Sequence, residues 1–187
     1  NKEDLIKFRS VTAMGELAAR IADNSMEKAR ILMRRIMWNL NDESGGIGWG
    51  SPEAMGEILS KSPALAREFK CILFSYLDHG GNHIEHEMLQ RGVLWGIGTY
   101  LGTAPLGLTD VTRKQLQDHL SSKDPVKRGY AIRALSNARV IKYMDLPDFI
   151  QTDKTTIDIY TGWDFTATRI SDMLHTCTPE QIPAGNE

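Results

Sequence analysis

Ala13-Met14-Gly15-Glu16 recurs, residue type for residue type, as Ala54-Met55-Gly56-Glu57. Gly96-Ile97-Gly98-Thr99 and Ala134-Leu135-Ser136-Asn137 echo it more faintly. The small third residue of each, Gly15, Gly56, Gly98 and Ser136, returns about every 40 residues, the spacing of a repeat in which each helix pair buries its apolar face on the next.

Between these markers the apolar residues keep a helical period. Leu5, Phe8, Val11, Leu17, Ala18 and Ile21 predict a helix over about residues 2–22. Ala29, Leu32, Met33, Ile36, Met37 and Leu40 predict a second, with Asn24 and Glu27 spaced as a capping box. The run 41–50 is too rich in glycine for a helix. Ser51-Pro52-Glu53 and Ser62-Pro63 are helix starts, each with a hydroxyl to cap and a proline where no N–H is needed. Asp78–Asn82 ends the apolar face of Leu65, Phe69, Ile72 and Leu73. A long helix is predicted from about Ile84 to Leu101, and its Gly92, Gly96 and Gly98 each cost about 1 kcal/mol relative to alanine. That cost calls for a neighbouring helix against the glycine side. Thr109-Asp110 caps a helix carrying Val111, Leu116 and Leu120, and Asp124-Pro125 opens another with Lys127, Arg128 and Arg133 facing outward. Beyond about Lys142 the pattern changes: Thr155–Tyr160 alternates, Thr161-Gly162-Trp163-Asp164 supplies a turn, and Phe165–Arg169 alternates again, which predicts a β-hairpin. Ser171–His175 adds a helical turn.

The segment Asp124-Pro125-Val126-Lys127-Arg128-Gly129-Tyr130-Ala131-Ile132-Arg133-Ala134-Leu135 resembles the motif of HEAT-like repeats of the phycobilisome-lyase type. Residues 39–57 and 83–98 look like HEAT-like bacterial proteins to which no activity is assigned. The resemblance implies an all-α fold: a right-handed α-solenoid of about three and a half helix pairs over residues 1–142. Residues 143–187 then form an appendage, with a hairpin at about 155–169 that caps the last repeat and a loose tail.

Composition limits the function classes. With 22 Lys+Arg against 24 Asp+Glu there is no net field to hold nucleic acid or a membrane surface. Arg30, Arg34 and Arg35, and separately Lys127, Arg128, Arg133, Arg139 and Lys142, form basic stripes like those HEAT-like DNA glycosylases lay on duplexes. Here they read as solvated faces or intramolecular pairs. Two cysteines, 71 and 177, without a CxxC spacing, suggest neither a disulfide framework nor a thiolate metal site, and Cys71 reads as an inert core thiol. No run of 18 apolar residues and no basic-then-apolar leader is present, so a reducing, cytoplasmic setting without a membrane is expected.

In a stack of helix pairs every second connection reaches the same edge, so loops 41–50, 78–83 and 121–124 are expected to be neighbours. Asp42, Glu43, Trp49, Glu53 and Arg91 are the candidate binding residues there. Trp49 is expected to tuck against the next repeat, while Trp38 and Trp95 belong to the core. His79, His83, His86 and Glu87 are the candidate metal ligands: His83 and His86 fall one helical turn apart, and an N/O set of this kind suits zinc or iron. The His86-Glu87 pair is similar to the His-Glu motifs of deoxyhypusine hydroxylase, a HEAT-like di-iron enzyme. No catalytic constellation is complete and no cofactor is expected. The expected function is therefore a protein-interaction or assembly module with a protein partner. A metal-binding protein or metal-dependent enzyme at the His79–Glu87 edge is the alternative, and a lyase-like chaperone for a bulky cofactor, by resemblance to phycobilin lyases, is a third.

Overall fold

The computed structural model describes residues 2–40 and 48–174. Asp42, Glu43, most of the glycine-rich loop, His175, Cys177 and the tail expected to be loose lie outside them. The described chain is mostly helical, with one small antiparallel sheet near its C-terminal end. Its long helices are α1 (Lys2–Asn24), α2 (Met26–Leu40), α3 (Ser51–Lys61), α4 (Pro63–Ser75), α5 (Glu87–Thr103), α6 (Asp110–His119) and α7 (Pro125–Asn137). A short α8 (Asp148–Gln151) leads to strands β1 (Thr156–Thr161) and β2 (Asp164–Arg169) and a closing 3-10 turn, Ser171–Leu174.

Helices α1, α3, α5 and α7 lie side by side in that order, while α2 and α4 pack on the pairs beside them and α6 packs on α7. The recurring glycines set the contact distance. A Cβ on Gly56 would fall inside the backbone of Gly96, and one on Gly96 would stand 2.5 Å from the carbonyl oxygen of Pro52, so α3 and α5 touch backbone to backbone. Gly15 meets Glu57 of α3, and Gly98 meets Ala134 of α7. The helix expected against the glycines of α5 is thus α3 on one side and α7 on the other. Met55, Leu59, Leu94, Ile97, Leu101 and Leu135 from these helices are fully buried in the core.

Capping follows the sequence at three of the starts. Ser62 Oγ accepts from Leu65 N, Thr109 Oγ1 from Thr112 N and Asp124 Oδ1 from Val126 N. It departs elsewhere. Gly50, with φ +83°, is the N-cap of α3, so Ser51 is inside the helix and buried. Asn24 closes α1 instead of opening α2, donating its Nδ2 to Arg20 O. Helix α5 begins at Glu87, three residues later than predicted, because Ile84 N is drawn into a bond to Tyr76 O and Gln90 Nε2 donates to Ile84 O.

Some stripe residues also turn out differently. Trp38 is 73% exposed: it sits two residues, about 200° of helical rotation, beyond the buried Ile36. Leu17, Val111 and Cys71 are exposed as well. Lys127, expected outside, is only 5% exposed, its ammonium held by Gln90 Oε1 and Glu87 Oε2 of α5. Trp95 is in the core as expected.

The hairpin forms where expected, with Thr156 opposite Arg169 through Thr161 opposite Asp164, so the turn narrows to Gly162 and Trp163. It does more than cover the last helix pair. Ile157 lands on Gly129 of α7, where even a Cβ would clash, while Tyr160 and Phe165 reach the first helix and pack on Phe8 at centroid distances of 5.1 and 5.3 Å. Arg9 Nε donates to Trp163 O at 3.0 Å across the same junction. The end of the described chain is therefore fastened to its beginning.

Candidate functional site

Glu53 is the third residue of α3, where the unpaired N–H groups of the first turn favour an acid. Because α3 is pressed between α1 and α5, this carboxylate is 3% exposed. Oε1 pairs with Lys7 Nζ of α1 at 3.0 Å, and Oε2 has no hydrogen-bond partner. The carboxylate rests on Gly92 of α5, where an added Cβ would stand 2.5 Å from Oε2. Leaving one oxygen of a buried carboxylate unsatisfied costs on the order of 1–3 kcal/mol, so the arrangement calls for an explanation.

Glu53 forms part of the wall of a cleft of about 320 Å³ roofed by the hairpin. Its polar lining continues with Asp4, Lys7, Arg91, Tyr130 and Asp158, and its apolar lining includes Phe8, Met88, Ile157 and Phe165. Arg91 is tied to Asp124 by a 2.6 Å Nε–Oδ2 pair, which keeps the first turns of α5 and α7 in step. Burial, followed by the negative charge of Glu53, pushes the Tyr130 phenol well above its usual range, so it remains a neutral O–H at any physiological pH. Lys7 Nζ also lies 4.6 Å from the centroid of the Phe8 ring, a cation–π contact at the cleft wall.

The second cluster lies along the adjoining edge. His79 and His83 stack with ring centroids 3.9 Å apart and planes 28° off parallel. Burial first, then the neighbouring His79, lowers the pKa of His83; burial and then Lys127 do the same to His119. His79, His119, Ser121, Ser122 and Lys127 line a hollow of about 280 Å³. His86 has turned the other way, edge-on to Trp49 at 5.3 Å.

These contacts locate the residues singled out from the sequence. Glu53 and Arg91 share the cleft; Trp49, half exposed, meets His86; His79 meets His83; Glu87 goes to Lys127. Within the 78–87 segment, His86 thus meets Trp49 at the end of the glycine-rich loop, and His79 lines one hollow with Ser121 and Ser122. His83 and His86 do not share a helical face, since residues 83–86 are not helical and α5 starts only after His86. Among the described residues no three His, Cys, Asp or Glu side chains gather as a metal ion would need.

The sequence did not point to Lys7, Tyr130, Asp158 or Phe165 as site residues. No motif surrounds Lys7, and nothing local announces that residues 158 and 165 return to residue 8. The basic stripes are largely taken up inside the molecule: Arg30 by Glu68 at 2.7 Å, Arg128 by Asp153 at 2.7 Å, and Arg133 by Trp95 O and Thr99 Oγ1 at 3.1 Å each. No described helix is long and apolar enough to cross a membrane.

The chain is 25% identical over 175 residues to an uncharacterised protein of Archaeoglobus fulgidus, an alignment covering 92% of this chain and 87% of that one. No family model matches the chain, and no solved structure matches it.

Proposed function

We propose that the chain is a HEAT-like helical array working as a protein-interaction module, and that it holds its partner at the cleft beneath the hairpin. The observation that carries this reading is Glu53, buried on the wall of that cleft with one carboxylate oxygen lacking a donor. A cost of that kind is sustained where a bound group supplies the missing hydrogen bond. Support for the array comes from the glycine markers, since Gly15, Gly56 and Gly98 each stand where an added Cβ would crowd the next helix of the row. The metal reading has less behind it, because His86 and Glu87 are engaged by Trp49 and Lys127 instead of facing His83.

Affinity capture from a native lysate, with the partner identified by mass spectrometry, tests the reading on three forms of the full chain. Wild type and Arg34→Ala, altered only on the exposed outer face of α2, are expected to recover the same specific protein, and Glu53→Gln to lose it. Equal capture by all three forms, or specific capture by none, overturns it.

A further inference from the structure

The charges around the cleft are unevenly satisfied. Its two basic groups are both committed, Lys7 to Glu53 and Arg91 to Asp124. Its acids are not. Glu53 keeps a free oxygen, and neither Asp4 nor Asp158 has an ion-pair partner among the described residues. The aromatic lining is Phe8, Phe165 and Tyr130, and the Phe8 ring already takes the Lys7 ammonium at 4.6 Å from its centroid. A volume near 320 Å³ admits a group of side-chain size and little more. An anion would meet three carboxylates with no uncommitted cation to receive it, and a neutral apolar group would leave Glu53 Oε2 unpaired.

Resting on the reading of this cleft as the binding site, we infer that the ligand group it takes is cationic nitrogen: the ammonium of a lysine or the guanidinium of an arginine side chain presented by the partner. An N–H of that group donates to Glu53 Oε2, its charge is shared with Asp4 and Asp158, and its methylene stem lies against Phe8 and Phe165. Charge-assisted hydrogen bonds to a desolvated carboxylate are the strong kind, and aromatic faces add to them. Gly92 belongs to the same design, because only a residue without a Cβ leaves the carboxylate room over α5.

The test is an NMR titration of the full chain, followed at the backbone amides of Glu53, Gly92, Tyr130 and Asp158. The probes are N-acetyl-arginine methylamide and N-acetyl-lysine methylamide, with the citrulline and norleucine analogues as neutral isosteres and the glutamate analogue as the anion. Agmatine serves as a free small cation. At least one cationic residue is expected to shift the cleft amides and to bind about tenfold or more tightly than its neutral isostere, the scale of one charged hydrogen bond. Glu53→Gln is expected to abolish that difference, and Asp158→Asn, on the exposed side of β1, to reduce it. Asp158→Asn and the isostere comparison on wild type keep the test valid if Glu53→Gln does not fold. Citrulline binding as well as arginine, tighter binding of the glutamate probe, or no cleft shift from any probe at about 10 mM overturns the inference. Agmatine binding well while both blocked residues do not retains the cationic class and overturns its peptide source. If lysate capture depends on Glu53 while the charge comparison fails, the partner reading stands and the cation falls. A clear charge preference with no captured partner has the opposite meaning.

Discussion

A single hydrogen atom decides the spacing of the central helices. Gly56 and Gly96 put the backbones of α3 and α5 in direct contact, and the roughly 1 kcal/mol that each glycine costs a helix is offset by the packing this closeness allows. Gly56→Ala gains that propensity term but must drive the two helices apart along their whole contact. A net loss of about 2 kcal/mol is expected, within the range for overpacked cores. Gly102→Ala, near the end of α5, meets only the side chain of Asn137 at 3.3 Å and is expected to change stability by less than about 0.5 kcal/mol. Urea denaturation of the two variants side by side checks the pair. Equal stabilities would mean that the α3–α5 contact is not as close as described.

At the scale of elements, the hairpin carries a conflict in its turn. A two-residue loop of this kind needs positive φ at both positions, and Gly162 at +58° meets the need without cost. Trp163 at +74° does not, because a left-handed residue with a Cβ is strained by about 1–2 kcal/mol. Its indole is 51% exposed, so packing recovers only part of that strain, while the bond from Arg9 goes to its carbonyl and survives any substitution. Trp163→Gly is therefore expected to stabilise the protein by about 1 kcal/mol, read from the denaturation midpoint; a loss would assign the indole a packing role that outweighs the strain. The helices, three of their caps and this hairpin were legible in the sequence because stripe period, capping chemistry and strand alternation are local. The start of α5 was not, since the Ile84 backbone is held by Tyr76 O and the Gln90 side chain, bonds that neither stripe period nor capping chemistry announces. That one displacement removed the helical pairing of His83 with His86. Glu53 and Arg91 were legible as loop-edge residues, but the burial that makes Glu53 distinctive arises only when α1 and α5 close on it. Lys127 shows the same limit, because its place inside the molecule depends on acceptors about 40 residues upstream.

For the whole molecule, the consequential contact joins the hairpin to the first helix. A row of helices held only by nearest neighbours loses order from its ends inward, each terminal element opening at a free energy below that of the middle. Here the last described elements pack on Phe8, and Thr12 Oγ1 lies 3.4 Å from Tyr160 Oη, so opening the hairpin also uncovers α1. The same closure roofs the cleft, whose walls come from α1, α3, α5, α7, β1 and β2 together. Phe165→Ala tests whether the ends are coupled. The substitution removes a partly buried ring at the junction and leaves the α3–α5 and α5–α7 contacts intact. Hydrogen exchange followed by mass spectrometry is expected to show faster exchange in β1, in β2 and in the N-terminal half of α1, with α4 and the middle of α5 unchanged. Faster exchange in the hairpin alone would mean that the first helix is held by α2 and α3 without it, and the two ends would then open independently.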